Sequence, residues 1–586
     1  MKRIHLYIAA SLLLLPAAAM AQEDNAYNES VLVRGSYRPV IMQSEKLNFP
    51  ARITDTITPM EHVFNYNITP PSRLKSLYEP ARIKAARIIG EPATKLYNNY
   101  FRLGIGNYWT PLADLYWSST RDRLKTYGIR MNHLSSWGSI TDYGRINNGV
   151  TGITLFGKYI VKEKLQLFTD LNYEHDHNLY YGFTDSTLYD AMGLIRDDIS
   201  RSEYRAKYNV ATWNIGIRNM QLDVNKLGYS ANLRLSDLWA SWHQNEFNLN
   251  FSGDIHYGFK VLRQYKGVAF LRAEWDGYSH RFRPEGEMPL GFRIPGLTPP
   301  YTLHDTVTGT RNIVKVNPYV DFIFNDLQFH SGMTLAWDAF TEGLSTTFRF
   351  FPDIVVSKKL MKEAVAVSVG FTGGLDANNW NTLRMVNPYI APNAEQRTTR
   401  HYDLSGHVRW SISKKLEANL EAIYSWLRDD LTFALDTHYM LGNVYNPLYV
   451  DNNRFSLGGD IAFVNDEMLT LRGGGHIYRY GNVDTPDEVM PYRPKWDALL
   501  AVDLNYHDKW LFHLEGRLLG KMQGDLGTEL PMRYGVNAEV EYRHTRAVSF
   551  FLKMDNLAFQ RYYYWANYPS RKALFILGLT YTMPTR

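Results

Sequence analysis

From about Asn99 to the C-terminus, one pattern recurs: stretches of roughly ten to fourteen residues in which apolar and polar side chains alternate. In RYGVNAEVEYRH, Tyr534, Val536, Ala538, Val540 and Tyr542 fall on one side, and Arg533, Asn537, Glu539, Glu541 and Arg543 on the other. In KWDALLAVDLNYH, Trp496, Ala498, Leu500, Val502, Leu504 and Tyr506 oppose Lys495, Asp497, Asp503, Asn505 and His507. In WLFHLEGRL, Trp510, Phe512, Leu514 and Leu518 oppose His513, Glu515 and Arg517. Successive side chains of a strand point to opposite faces, so each stretch reads as a strand with one greasy and one charged face.

A sandwich with one solvated face shares that alternation. Two further features favour a closed transmembrane barrel. Aromatic residues sit at the ends of the greasy face, where a barrel places its interfacial girdles. The connections also alternate between short and long. Short ones fall at 162–164, 325–326, 413–415, 465–467, 507–509 and 544–546, with long ones at 183–200, 278–310, 375–400, 428–452, 481–494, 520–532 and 559–571. Short periplasmic turns and long external loops are the habit of outer-membrane barrels. No later segment is a continuous apolar run long enough for a spanning helix.

The expected fold class is therefore all-β, a transmembrane antiparallel barrel over residues 98–586. Strands start near 99, 111, 124, 149, 164, 204, 226, 244, 265, 312, 327, 344, 364, 401, 416, 453, 468, 495, 509, 533, 547 and 572. That tally is about 22, or roughly 14 to 20 where hairpins stand clear of the membrane. An even count leaves both ends of the barrel on the periplasmic side.

The N-terminus reads as an export signal over residues 1–21. Lys2 and Arg3 precede an apolar run from Ile4 to Pro16, and Ala19-Met20-Ala21 fits a cleavage site. The expected location is the outer membrane of a two-membraned bacterium. Residues 22–97 hold Pro39, Pro50, Pro59, Pro70, Pro71, Pro80 and Pro92, too many for a packed domain. Short β-prone runs at Val31–Val33 and Phe64–Ile68 and a helical turn or two at Ala81–Ile89 complete an expected periplasmic or lumen-filling segment.

Chemistry is scarce. The absence of cysteine excludes disulfides, thiolate metal sites and cysteine nucleophiles. The 64 basic and 59 acidic residues nearly balance, so nucleic acid is not an expected partner. No G-x-S-x-G, H-E-x-x-H or phosphate-loop motif occurs. LGIGNY, around Gly104 and Gly106, and RGGGH, Arg472–His476, read as glycine-bearing strands. Neither enzyme activity nor a cofactor is expected. His175 and His177 of YEHDHN share a strand face, a weak metal pair with too few ligands, and otherwise a solvated strand end. Lys495, Asp497, Asp503, His513, Glu515, Arg517, Arg533, Glu539, Glu541 and Arg543 read as a lumenal wall of paired charges rather than an acid–base site. Tyr562, Tyr563, Tyr564, Trp565 and Tyr568 read as an aromatic girdle with loop packing, or as a stacking surface for a ligand ring.

The segment MDNLAFQRYYYWANYPSRKALFILGLTYTM, Met554 to Met583, resembles the closing hairpin of TonB-dependent outer-membrane receptors. The shared features are Asn556-Leu557, Tyr562-Tyr563, Tyr568-Pro569, Arg571 and a last strand carrying Phe575, Gly578 and Tyr581. LFHLEGRLLGK resembles the strands before it, and Ser30, Val31, Leu32 and Val33 resemble the β-prone box that engages TonB. The resemblance implies a 22-stranded barrel whose last strand pairs with its first. It implies a receptor or transporter for a nutrient, with outer-membrane lipid and TonB as partners. The family's globular plug is larger than the roughly 75 residues that precede the first strand here, and Pro584-Thr585-Arg586 follows where an aromatic residue usually ends the chain. An alternative expectation follows from the thin N-terminus. It is a non-transporting barrel subunit that docks another outer-membrane or surface protein in an assembly, secretion or surface-uptake complex.

Overall fold

The computed structural model describes residues 98–583, apart from 120–121, 199–200, 221–225, 242, 262–264, 283–306, 341–346, 362, 437–440, 466–467, 486 and 525–526. The expected signal peptide, the proline-rich segment and the box at Ser30–Val33 lie outside the described residues.

Twenty-two strands pair antiparallel in chain order and close into one sheet. They are β1 (Asn99–Gly106), β2 (Thr110–Ser118), β3 (Lys125–Ser136), β4 (Asn148–Val161), β5 (Leu165–Leu179), β6 (Arg205–Asn219), β7 (Gly228–Ala240) and β8 (Gln244–Val261). Next come β9 (Tyr265–Phe282), β10 (Val307–Phe324), β11 (Leu327–Phe340), β12 (Thr347–Leu360), β13 (Val365–Ala377), β14 (Thr398–Ser413) and β15 (Leu416–Leu435). The remainder are β16 (Tyr445–Asn465), β17 (Leu469–Gly481), β18 (Trp496–Tyr506), β19 (Trp510–Leu519), β20 (Arg533–Arg543), β21 (Val548–Asp555) and β22 (Leu574–Tyr581). Most starts fall within three residues of those read from the sequence. The larger errors have one cause. β10 starts at Val307 rather than 312, and β16 at Tyr445 rather than 453, because strand pairing continues past the length a membrane needs. The connections expected at 278–310 and 428–452 are correspondingly shorter.

The periplasmic turns follow from local chemistry. Lys162-Glu163, Asn325-Asp326 and His507-Asp508 all take positive φ, between 47° and 64°. Two consecutive left-handed residues are what a tight hairpin needs to match the strands' twist.

Closure depends on β1 and β22, which pair from Phe101↔Tyr581 to Gly106↔Ile576. Leu103, Ile105, Leu577 and Leu579 are exposed on the outer face, the side that carries the apolar band in a membrane barrel. Inside, Gly104 faces Gly578 across the seam. The buried Phe551 ring, from β21, lies against both glycines. The Arg102 guanidinium stacks on that ring at 3.9 Å and pairs with Glu539 of β20 at 2.7 Å. A bare stretch of backbone is thus roofed by an aromatic ring and strapped by an ion pair across the seam.

Candidate functional site at the barrel mouth

The largest apolar core lies at the external end of the wall, where the long loops leave it. It joins Tyr180 from the β5–β6 loop, Trp380, Leu383, Ile390 and Ala391 from the β13–β14 loop, and Val444 from the β15–β16 loop. Tyr492, Leu530 and Tyr568 come from the next three external loops. It rests on Tyr208 and Val210 of β6 and on Leu431 and Phe433 of β15. Those strands stand nine positions apart in a ring of 22, nearly opposite each other. A tilted 22-stranded sheet is about 44 Å across, so the loops form a cap that bridges the mouth.

Buried tyrosine hydroxyls must find acceptors, and those acceptors tie the loops together. Tyr180 donates to the Ile390 carbonyl at 2.8 Å, Tyr445 to that of Ala566 at 2.6 Å, and Tyr568 to that of Asn443 at 2.5 Å. Tyr389 stacks on Tyr568 with ring centres 3.5 Å apart. Burial pushes the phenol pKa values of Tyr180, Tyr389 and Tyr568 well above the usual range, and that of Tyr181 up to about 12.

Two short helices sit in these loops, α1 (Asp185–Met192) and α2 (Trp380–Val386). Asn379 caps α2 by accepting from the Thr382 amide at 2.8 Å. Glu246 of β8, almost fully buried, accepts from the Trp380 and Asn381 amides at 2.7 and 3.3 Å. Barrel wall and cap residue thus satisfy the amides a helix start leaves open. At the other end, buried Arg384 reaches Asp176 at 3.1 Å and Glu174 at 3.6 Å on β5, and its guanidinium lies 5.0 Å from the Tyr208 ring.

A cavity of about 320 Å³ lies beside the cap, lined by Asn148, Asn178, Tyr389, Tyr564, Arg571 and Lys572 among others. Arg571 donates to the Ser136 hydroxyl and the Asn148 amide oxygen, both neutral. Burial lowers its pKa. Asp555, also at the cavity, is paired with Lys553 at 3.6 Å. A guanidinium held by neutral partners, with the exposed Lys572 and several phenol rings beside it, suits a ligand with an anionic group and a flat or ring-shaped face.

The residues singled out from the sequence divide between wall and cap. Asp503 meets His513 at 2.6 Å, Glu515 meets Arg517 at 2.6 Å, Asp497 meets His476 at 3.1 Å, and Glu539 meets Arg102 across the seam. Glu541 is buried, and Arg543 ends β20 at the periplasmic rim. Lys495 stands exposed just before β18 and Arg533 begins β20, its guanidinium 4.4 Å from the Tyr564 ring. The final aromatics are cap residues rather than a girdle at the lipid boundary. Tyr568 is buried in the core, Trp565 packs on Phe433, Tyr445 and Tyr492, and Tyr562 meets Tyr564 edge to face. Tyr563 belongs to a small hairpin with Tyr568-Pro569. His175 and His177 do lie together, with ring centres 5.9 Å apart, but each is bound to an asparagine. No group of three metal-binding side chains occurs among the described residues. Glu246, Arg384, Trp380 and Tyr208 carry no local signal, because distant segments bring them together.

A closed 22-stranded antiparallel barrel with an apolar outer belt and loops gathered at one end is an outer-membrane type of barrel. No protein-family model matches the sequence, and no curated protein does. Solved structures do. The ferric-catecholate import receptor Fiu of E. coli K12 superposes with a TM-score of 0.61, over 84% of this chain and 82% of its own, at 11% identity. The siderophore receptor PirA of Acinetobacter baumannii gives 0.59 over 84% and 81%, at 9% identity. A mutant of the ferric enterobactin receptor PfeA of Pseudomonas aeruginosa gives 0.58 over 83% and 80%, at 12% identity. The chain has the fold of the TonB-dependent siderophore receptors.

Proposed function

We propose that this chain is an outer-membrane receptor that takes up a nutrient through its capped mouth, without catalysing a reaction. The observation that carries this reading is the aromatic and cationic cavity beside the loop cap of a closed 22-stranded barrel. The similar solved structures include an import receptor and siderophore receptors, which supports transport over chemistry. Residues 22–97 are proposed to serve as the periplasmic or lumen-filling segment, with Ser30–Val33 coupling the barrel to TonB. The test is growth of an otherwise uptake-deficient strain on defined media. Arg571→Gln together with Lys572→Gln is expected to abolish growth on the same nutrient that deletion of 22–97 abolishes. If neither variant changes growth on any nutrient, the receptor reading fails.

A second reading, a barrel that docks a protein partner, is favoured by one observation. The cap loops are interlocked by buried hydrogen bonds rather than free to part. Gentle detergent extraction separates the two. Stoichiometric co-elution of one envelope protein, unchanged by mutation at Ser30–Val33, supports docking over transport.

A further inference from the structure

The two histidines face away from the lumen. Ala206, Tyr208 and Val210 of β6 point into the cap core, so Arg205, Lys207 and Asn209 point outward. Register then places His177 opposite Lys207 and His175 opposite Asn209 on the outer surface, with Arg205 at the external end of β6 opposite Leu179, which is buried under the loops. His175 also faces Thr151 of β4, whose hydroxyl binds His133 of β3 at 2.8 Å. Five basic side chains, His133, His175, His177, Arg205 and Lys207, therefore share one outward patch over β3 to β6.

Their height on the barrel is set by the aromatics below them. Tyr173 and Trp239, with ring centres 6.2 Å apart and both exposed, lie on the same outer face above exposed Leu167 and Leu171. Such a pair marks the top of the hydrocarbon. Two residues along a strand tilted by about 40° climb about 5 Å. Along β5, His175 is thus about 5 Å, and His177 about 10 Å, beyond Tyr173, with Trp239 in the row of His175. The polar layer outside the hydrocarbon is about 5–8 Å thick. The patch stands at headgroup height.

The charge there has one sign. On the described outward faces of β3 to β7 the one carboxylate in the external half is Asp237, in the row of Tyr173 below the patch. Lys207 is exposed, and the Arg205 Nε is buried without a hydrogen-bond partner among the described residues. The imidazoles are positioned by Asn209, at 2.9 Å from His175, and by Asn147, at 2.9 Å from His177. Each pairing uses one ring nitrogen of the histidine.

We propose that this patch docks a phosphate of an anionic lipid in the external leaflet. Arg205 and Lys207 supply the permanent charge, and the histidines shape the rim. The lipid then sits against the outer wall with its acyl chains on the Leu167–Tyr173 face.

The experiment is native mass spectrometry of the purified barrel in detergent, with bisphosphorylated lipid A added, compared with the same glycolipid after removal of both phosphates. The phosphorylated lipid is expected to be retained, and the dephosphorylated one at least fivefold less. Arg205→Gln with Lys207→Gln should cut retention at least fivefold. Lys125→Gln, which removes a cation at the periplasmic end of β3, should leave it unchanged. Heat-modifiable gel mobility verifies that each variant is a folded barrel. Retention independent of the phosphates, retention unaffected by the double variant, or equal competition by inorganic phosphate at the lipid's concentration would each overturn the proposal.

Discussion

At the closing seam, single atoms decide whether a barrel forms. Gly104 and Gly578 are required because the inner face there is occupied by the Phe551 ring, and a Cβ at Gly578 would overlap both that ring and the Leu103 carbonyl. Gly578→Val is expected to block closure, leaving a band of unfolded mobility on unheated gels. Phe551→Ala removes the roof over both glycines and the surface on which Arg102 stacks. Loss of a buried phenylalanine typically costs about 3–5 kcal/mol, so urea unfolding from lipid vesicles should shift by that order. An unchanged unfolding midpoint would show that the ring does not support the seam. Arg102 and Glu539 should couple in a double-mutant cycle, because each is largely buried and loses a close counter-charge when the other is removed.

Among the elements, α2 is the one whose attachment to the wall is most specific. Glu246 holds its start and Arg384 its last turn, on strands three positions apart in the ring. Arg384→Ala strands Glu174 and Asp176 without their shared cation, a change that typically costs about 3–5 kcal/mol where the pair is buried. The expected result is a loosened β13–β14 loop, read as raised sensitivity of intact cells to a large antibiotic and as larger conductance in planar bilayers. Arg384→Lys should restore part of the barrier. Sensitivity identical to the parent in Arg384→Ala would mean the loop does not close the mouth. The strands that carry these anchors were legible in the sequence. A period of two survives in Tyr534–Tyr542 or Trp496–Tyr506 because lipid and water impose opposite demands on alternate residues. The loops obey no such period. Tyr180, Tyr389 and Tyr568 lie far apart in the chain and meet only because closure brings their loops over one opening. For the same reason the aromatic run Tyr562–Tyr568 read as a girdle with loop packing or as a stacking surface, and its sequence could not show that Trp565 and Tyr568 turn inward to that meeting point.

For the molecule as a whole, closure and capping are separate events, and each can be tested. The chain has no cysteine, so an introduced pair reports without background. Leu103 faces Leu579 across the seam, both on the outer surface. Leu103→Cys with Leu579→Cys should oxidise to a cross-link in the folded barrel, since directly opposed residues place their Cβ atoms about 4.5–5.5 Å apart. Leu103→Cys with Leu577→Cys, one step out of register on the same face, should cross-link far less. Equal cross-linking of both pairs would contradict the register. The cap should respond to alkali. Tyr181 keeps its proton in the folded cap up to about pH 12, whereas an exposed phenol loses it near pH 10. Between those values the opened state binds fewer protons than the closed one, so the closed cap loses stability as pH rises. Full stability is present below pH 10, and this one group's contribution, on the order of a few kcal/mol, is gone above pH 12. Tyr180, Tyr389 and Tyr568, also raised by burial, act in the same direction. Conductance in planar bilayers should therefore stay low through pH 9 and rise between pH 10 and 12, in step with tyrosinate absorbance at 295 nm. Tyr181→Phe, which cannot ionise, should move that rise to higher pH. Opening that begins near pH 7, or a cap that stays shut after its tyrosines have ionised, would show that the mouth is not held by buried phenols.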